Sequence, residues 1–581
     1  MRRILKSRSL PLLLSRGMLA GLLLLPACAA SGGATTETGA ATAALPMGTS
    51  TFGQYLAGRH AQNERDLDSA ADFMALVLAD DPQNLELLQN TYLLMASEGR
   101  MAEAAELARR LEARNADIST AGLSVVLAEV SAGNLEAAKV QLAEMPSDGL
   151  SKFITPILQA WLALELEGID PALAILAPLS EVDGFTPVYH LHAGLLNERA
   201  GRLADAEKSY RAAIDDAVQP SFRLVELLGS FYQQHGRSDE ARTLYREYAA
   251  QNLGTVLIEP LLRSLESDTP PPPVVATLRE GFAEALFDLA TVLYQENASD
   301  LALIYTRMAL DMRPQLPIAQ MLLGDILIGQ ERIADAVEAY RDIPRSSPLH
   351  WQARLNIAEC LDMLGETEEA IATLRAMSEE RPDRQDAPLR LGNLLRSKER
   401  FAEAAEAYDV AVDRIAKLEP QHWSTLYFRG IARERSDQWP LAEADFLKAL
   451  ELEPEHPYVM NYLAYSWVEK GQNYDRALDM LRRAVDLRPQ DGYIVDSLGW
   501  VLYRLGDYGK AVKYLERAVE LNPTDPVIND HLGDAYWKVG RRNEARFQWT
   551  RALNFEPEAE QIPHIESKIE RGLASTHASG S

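Results

Sequence analysis

The chain has 581 residues, 47% apolar and 25% charged, ordinary values for a soluble chain that buries a core. At roughly 100–200 residues per domain, that length predicts several globular domains or one long repeat array. The formal charge of −27, from 58 Lys and Arg against 85 Asp and Glu, argues against nucleic-acid binding, where cations must replace phosphate counterions, and against electrostatic adhesion to anionic lipid. Two cysteines, Cys28 and Cys360, exclude a disulfide scaffold and a cysteine-rich zinc site.

At the start of the chain Arg2, Arg3, Lys6, Arg8 and Arg16 precede the apolar run Met18–Leu25, and no acid occurs before Glu37. A positive segment followed by a short apolar one has the form of a secretory signal, and the run is too short to cross a bilayer as a helix. Arg2-Arg3 lacks the surroundings of a twin-arginine signal. Next comes Leu25-Pro26-Ala27-Cys28, which resembles the bacterial lipobox, whose cysteine becomes the lipidated first residue of the mature chain. The resemblance implies a signal peptide over 1–27 and a lipid on Cys28. With Ala29 rather than Asp following, it also implies sorting to the outer membrane of a Gram-negative bacterium, facing the periplasm. The alternative is an ordinary secretory cut nearby, with Cys28 incidental. Removing residues 1–27 takes away only cations and leaves the rest more acidic. Residues 28–50 are small and polar, too poor in large apolar groups to order themselves. They are predicted to form a flexible tether spanning on the order of 25 Å.

A repeat of 34 or 35 residues fills the remainder. It is plainest near the C-terminal end, at Pro454, Pro489, Pro523 and Pro557; at Ala449, Ala484, Ala518 and Ala552; and at Gly471, Gly506 and Gly540. The spacing resembles the tetratricopeptide repeat, a helical hairpin with fixed small, aromatic and proline positions. Leu498-Gly499 and Leu532-Gly533 each set an apolar knob beside a missing side chain, which lets the second helix approach the first. Gly506 and Gly540 supply the turn between helices. Ala511 and Ala518 share one face of the second helix, Leu515 and Trp549 are expected to fill the space between repeats, and the prolines end the hairpin.

In that register, units begin near 51, 85, 119, 153, 187, 222, 283, 317, 351, 385, 423, 457, 492 and 526. The N-terminal units match less well: Ala160 stands where Gly is expected. The longer step from 385 to 423 is read as a longer second helix. The step from 222 to 283 contains an apolar piece and Pro270–Pro273, which favours polyproline II. The predicted organisation is a first array of about six repeats (51–255), a degenerate helix with a proline-rich hinge (256–282), a second array of about eight (283–559), and a capping helix with a frayed tail (560–581). The cap rests on Ile565, Ile569 and Leu573, because a solenoid must cover its last apolar face. The fold class is therefore all-α, a tetratricopeptide superhelical solenoid of antiparallel helical hairpins.

No catalytic constellation emerges. HExxH, CxxC and S-x-x-K are absent, and Gly506–Lys510 lacks the spacing of a phosphate loop. His190 and His192 lie two apart on a helix and face different ways, and Cys360 reads as a buried small hydrophobe. No catalytic residue, metal or cofactor is expected.

In tetratricopeptide superhelices the inner wall is built from set positions of each first helix. The resemblance places Tyr458, Asn461 and Tyr465 there from the 457 unit, Tyr493, Asp496, Trp500 and Tyr503 from the 492 unit, and Asp530, Asp534 and Trp537 from the 526 unit. Aromatics with convergent Asn and Asp suit peptide or protein recognition. The alternative for each aromatic is packing between repeats. The Lys and Arg of a carboxylate clamp are largely replaced by acids, so a neutral or basic protein partner is expected. The layout, and the stretch Tyr493–Trp500 above all, resembles the outer-membrane tetratricopeptide lipoproteins that bind a carboxyl-terminal-processing protease and bring peptidoglycan hydrolases to it. That resemblance implies a non-catalytic adaptor. The alternative is a structural assembly component of an envelope machine for polysaccharide export, secretion or outer-membrane assembly.

Overall fold

In the computed structural model the described residues are 50–114, 118–146, 148–182, 184–217, 219–252, 255–266 and 271–573. Cys28 and its signal, the tether as far as residue 49, Asp268–Pro270 and the tail beyond 573 lie outside them. Among the described residues the regular structure is helical, with no strand.

Six hairpins come first: α1 (Thr51–Asn63) with α2 (Leu67–Asp80), α3 (Leu85–Ser97) with α4 (Met101–Glu112), α5 (Ser119–Ser131) with α6 (Leu135–Glu144), α7 (Ser151–Leu166) with α8 (Ile169–Leu176), α9 (Thr186–Arg199) with α10 (Leu203–Asp216), and α11 (Phe222–Gln234) with α12 (Ser238–Gln251). A short α13 (Ile258–Ser264) follows. Eight more hairpins run as α14 (Leu278–Gln295) with α15 (Ser299–Met312), α16 (Pro317–Gly329) with α17 (Ile333–Arg341), α18 (His350–Met363) with α19 (Thr367–Glu380), α20 (Asp386–Ser397) with α21 (Phe401–Asp413), α22 (Trp423–Arg435) with α23 (Trp439–Leu452), α24 (Pro457–Glu469) with α25 (Tyr474–Leu487), α26 (Gly492–Arg504) with α27 (Tyr508–Leu521), and α28 (Pro526–Lys538) with α29 (Arg542–Asn554). A single helix, α30 (Ile562–Arg571), packs on α29.

One steric device recurs. A glycine on the first helix faces a large side chain sixteen residues on, in the second. A Cβ at Gly194 would lie 2.7 Å from Tyr210, at Gly229 2.2 Å from Tyr245, at Gly324 2.3 Å from Tyr340, at Gly392 2.7 Å from Tyr408, and at Gly533 2.4 Å from Trp549. Leu515 fills the same place against Gly499. Leu515 and Trp549 thus lock the two helices of one hairpin, rather than filling the space between repeats as expected from sequence. The turns take a left-handed residue, at Gly506 (φ 83°) for instance. Asn297 (φ 62°), Glu331 (φ 62°), Glu399 (φ 58°) and Asp437 (φ 62°) hold the same conformation without glycine, at a cost of roughly 1–2 kcal/mol each. The periodic glycine therefore fades from the sequence where the turn persists.

The step from 385 to 423 also differs from expectation. The second helix stops at Asp413, and the extra residues form a 3-10 turn at Pro420–His422, capped by Glu419, whose backbone N–H donates to His422 Nδ1 at 2.9 Å. A proline whose fixed φ opens a new turn is a poor continuation of a helix.

The two arrays do not stand apart. The inner-wall helices α3, α5, α7 and α9 pack against α14 and α15, so the second array's first hairpin fills the groove of the first array. One continuous core runs from Ala61 to Cys360. Gly281 on α14 lies so close to Trp161 on α7 that a Cβ there would sit 2.3 Å from the ring. Trp161 Nε1 donates to His192 Nδ1 at 3.1 Å, and His192 Nε2 lies 3.2 Å from Asp288 on α14. Buried Glu284 on α14 pairs with Arg223 on α11. Glu98, just past α3, receives both guanidinium branches of Arg332 at 2.6 and 2.9 Å.

The proline-rich segment, read from sequence as a hinge, is tied on both sides. Gln234 donates to the Pro272 carbonyl at 3.3 Å and Arg313 to that of Val274 at 2.7 Å, and Arg199 donates to Ala276. On α13, Glu259 accepts from Arg381 and Arg384 of the second array. Polyproline backbone has no internal hydrogen bonds, so its carbonyls are free to take these donors.

Candidate partner-binding groove

The candidate groove lies in the second array, where α22, α24 and α26 carry partly buried aromatics. Of these helices α26 has a side-chain cap, as does the neighbouring α28. The Asp491 carboxylate accepts from the Tyr493 and Ile494 N–H groups at 3.1 and 3.3 Å, and Asp525 accepts from Ile528 at 3.0 Å. Each cap fixes the first turn, and the residues three, four and seven further along then share one face.

At the centre lies an aromatic stack. Trp500 is half-buried, with Tyr503 parallel to it at 4.8 Å and the His531 ring beneath it at 4.0 Å. Trp500 Nε1 and Arg504 both donate to Glu469, each at 2.7 Å. Tyr465 is also half-buried, and its phenol is raised above the ordinary range by burial and by the nearby Glu469 and Asp496. Tyr503 is raised for the same leading reason, with Asp534 adding to it. Tyr458 and Tyr493 stand at the rim, 40% and 58% exposed. Asn461 is half-buried, and its side-chain carbonyl oxygen has no hydrogen-bond partner.

Four inner-wall residues placed by the sequence do not face an open groove. Asp496 is buried, its carboxylate held by His531 Nδ1 at 3.0 Å across the α26–α28 boundary. Burial alone would lower the His531 imidazole; Asp496 outweighs this and holds it above the ordinary histidine value. Asp530 and Asp534 are taken by Lys568 of α30, at 2.6 and 2.9 Å. Asp534 also accepts from Trp549 Nε1 at 2.9 Å. Despite burial, those two carboxylates keep the Lys568 ammonium above its ordinary value. Trp537 packs on Trp549 and lies under Gly572, where an added Cβ would fall 1.9 Å from the ring. The helix that closes the solenoid therefore removes the 526 unit from the groove.

In the other direction the aromatics continue, partly buried against the core, into residues the sequence did not single out. Trp423 lies against His456 at 3.8 Å with the rings tilted by 32°, and Tyr427 meets Tyr462 edge-on at 6.1 Å, with Phe446 behind. The aromatics of the 423 unit were the available signal. His531 and Lys568 carried none, since each acts on a residue about one repeat earlier. Among the described residues no group of three or more His, Cys, Asp or Glu is placed to hold a metal, and no helix is long and apolar enough to cross a membrane. Cys360 is buried, its thiol pushed up to about 11 by burial.

The tetratricopeptide repeat family profile matches residues 157–220, 191–254, 321–384, 364–420, 427–492 and 469–526. The chain belongs to the tetratricopeptide repeat family. It is similar to the TPR repeat-containing protein PA4667 of Pseudomonas aeruginosa, 25% identical over 189 residues, which are 32% of this chain and 31% of that protein. The match thus spans less than a third of that relative's length. Among solved structures, similarity extends to Cut9 in its APC/C complex with Hcn1 (15% identity, 90% of this chain, 96% of the other, TM-score 0.35). It extends also to yeast Tom70 (13% identity, 90% and 95%, TM-score 0.28), and to YrrB, described as a tetratricopeptide protein with an unusual peptide-binding site (22% identity, 33% and 97%, TM-score 0.27).

Proposed function

We infer from the repeats that the protein is an interaction scaffold for other proteins. We propose that it is held by a lipid on Cys28 to the periplasmic face of the outer membrane and that it engages a neutral or basic protein segment in the α22–α26 groove. The observation that carries this reading is the set of accessible aromatics on α24 and α26, half-buried Tyr465 and Trp500 with Tyr458 and Tyr493 exposed at the rim. The adaptor role follows from the resemblance noted above: the protein brings peptidoglycan hydrolases to a carboxyl-terminal-processing protease. A structural role in an export, secretion or assembly machine is the second reading, supported by the same anchor and fold.

A crosslinked pull-down from native membranes, using a C-terminal tag and read by mass spectrometry, separates the two. A periplasmic serine protease enriched with cell-wall hydrolases supports the adaptor. Export or assembly components without a protease support the structural role. Trp500→Ala combined with Tyr465→Ala is expected to weaken capture at least tenfold with helical circular dichroism retained. Loss of the helical signal instead makes those aromatics core. Cys28→Ser is expected to move the protein from the membrane to the soluble fraction, and persistence on the membrane rejects the anchor.

A further inference from the structure

The two ends of the solenoid are finished differently. At the C-terminal end α30 covers the last hairpin, burying Ile565. At the N-terminal end α1 turns an apolar face outward: Phe52, Tyr55 and Leu56 are 71%, 37% and 50% exposed. Their spacing of three and four puts them on one side of the helix, and exposed Arg59 and His60 continue the stripe one turn on. The Ser50 side chain accepts from the Gly53 N–H at 3.0 Å, fixing the start of the helix so that Phe52 falls in its first turn. Elsewhere the exposed apolar side chains stand singly, as Val140 and Phe547 do, or in twos, as Leu85 and Leu93 on α3 and Met363 and Leu364 at the end of α18. A terminal repeat needs a polar outer face to stay soluble alone, and this one has the opposite.

We propose that this face of α1 rests on the lipid bilayer. The proposal rests on the Cys28 anchor inferred above. The chain outside the described residues, from Cys28 to residue 49, ends on the first turn of α1, so the anchor delivers this helix to the membrane ahead of any other element. Three side chains on one helix fall short of the roughly 800 Å² per partner that a stable dimer buries, whereas a lipid surface requires no matching shape. Aromatic and aliphatic groups with an Arg beside them suit the interfacial zone. The anchor makes the contact intramolecular, so a patch too small to bind from solution is sufficient.

The test uses the full lipidated chain in vesicles of phosphatidylethanolamine and phosphatidylglycerol, in a Cys360→Ala background. An environment-sensitive fluorophore is placed through Phe52→Cys or Leu56→Cys, with exposed Leu487→Cys on α25 as the control. The expected result is quenching by brominated lipid several-fold stronger at 52 and 56 than at 487. Equal, weak quenching at all three positions, with the acyl groups on Cys28 verified by mass spectrometry, overturns the contact and leaves the anchor standing. A blue-shifted emission without lipid quenching means that protein covers the face, either a second copy seen by sedimentation or residues 28–49, and also overturns it. An unacylated Cys28 removes the anchor and the contact together.

Discussion

Two buried side chains show how tightly single residues are constrained. A methyl at Gly533 would lie 2.4 Å from the Trp549 indole, whose Nε1 is tied to Asp534, so the ring has no free direction in which to yield. Gly533→Ala is expected to destabilise the protein by roughly 1–3 kcal/mol, read as a lower urea midpoint. His531 gives a pH signature. Its raised folded-state value means that its stabilising contribution is complete below the ordinary histidine value of 6.5 and is lost as pH rises through the raised one. The stability difference between the native chain and His531→Asn, followed by denaturant titration, should be largest in mild acid and shrink toward alkaline pH. A difference that does not vary with pH would reject the charged pair with Asp496.

For the elements, the controlling fact is that α30 completes the α28 face with a cation. Lys568→Met leaves Asp530 and Asp534 without their partner and is expected to cost about 1–3 kcal/mol. Hydrogen exchange should quicken in α28 and α29 while α1–α12 keep their protection. The hairpins themselves were legible in the sequence, because Ala, Gly and Pro recur wherever two helices must approach, turn and stop. The groove was legible only in part. Position within a repeat puts Asp530, Asp534 and Trp537 on an inner wall, but the residues that cover them lie 34 to 38 further on, outside any local pattern. Tyr465 and Trp500, both half-buried, could be singled out because aromatics at inner-wall positions stand out. His531, under Trp500, did not, since its partner Asp496 belongs to the neighbouring unit.

Across the whole molecule the closure of the first array on α14–α15 had no sequence signal. Arg223 meets Glu284 from 61 residues away, and Arg332 meets Glu98 from 234. Glu284→Ala strands a buried guanidinium and should cost about 3 kcal/mol, the low end for such a loss, because Glu226 still holds Arg223 at 2.6 Å. Adding Glu98→Ala is expected to enlarge the radius of gyration in small-angle X-ray scattering; an unchanged radius would show that apolar packing alone holds the closure. The same feature has a mechanical consequence. A solenoid whose units touch only their neighbours extends under load like a coil spring, each hairpin yielding a little. The first half of this chain is clasped around its own continuation and cannot lengthen until those ion pairs break. Tension applied between the N-terminal end and the α22–α26 hairpins is therefore taken up by the hairpins beyond α18, leaving the first half as a stiff post.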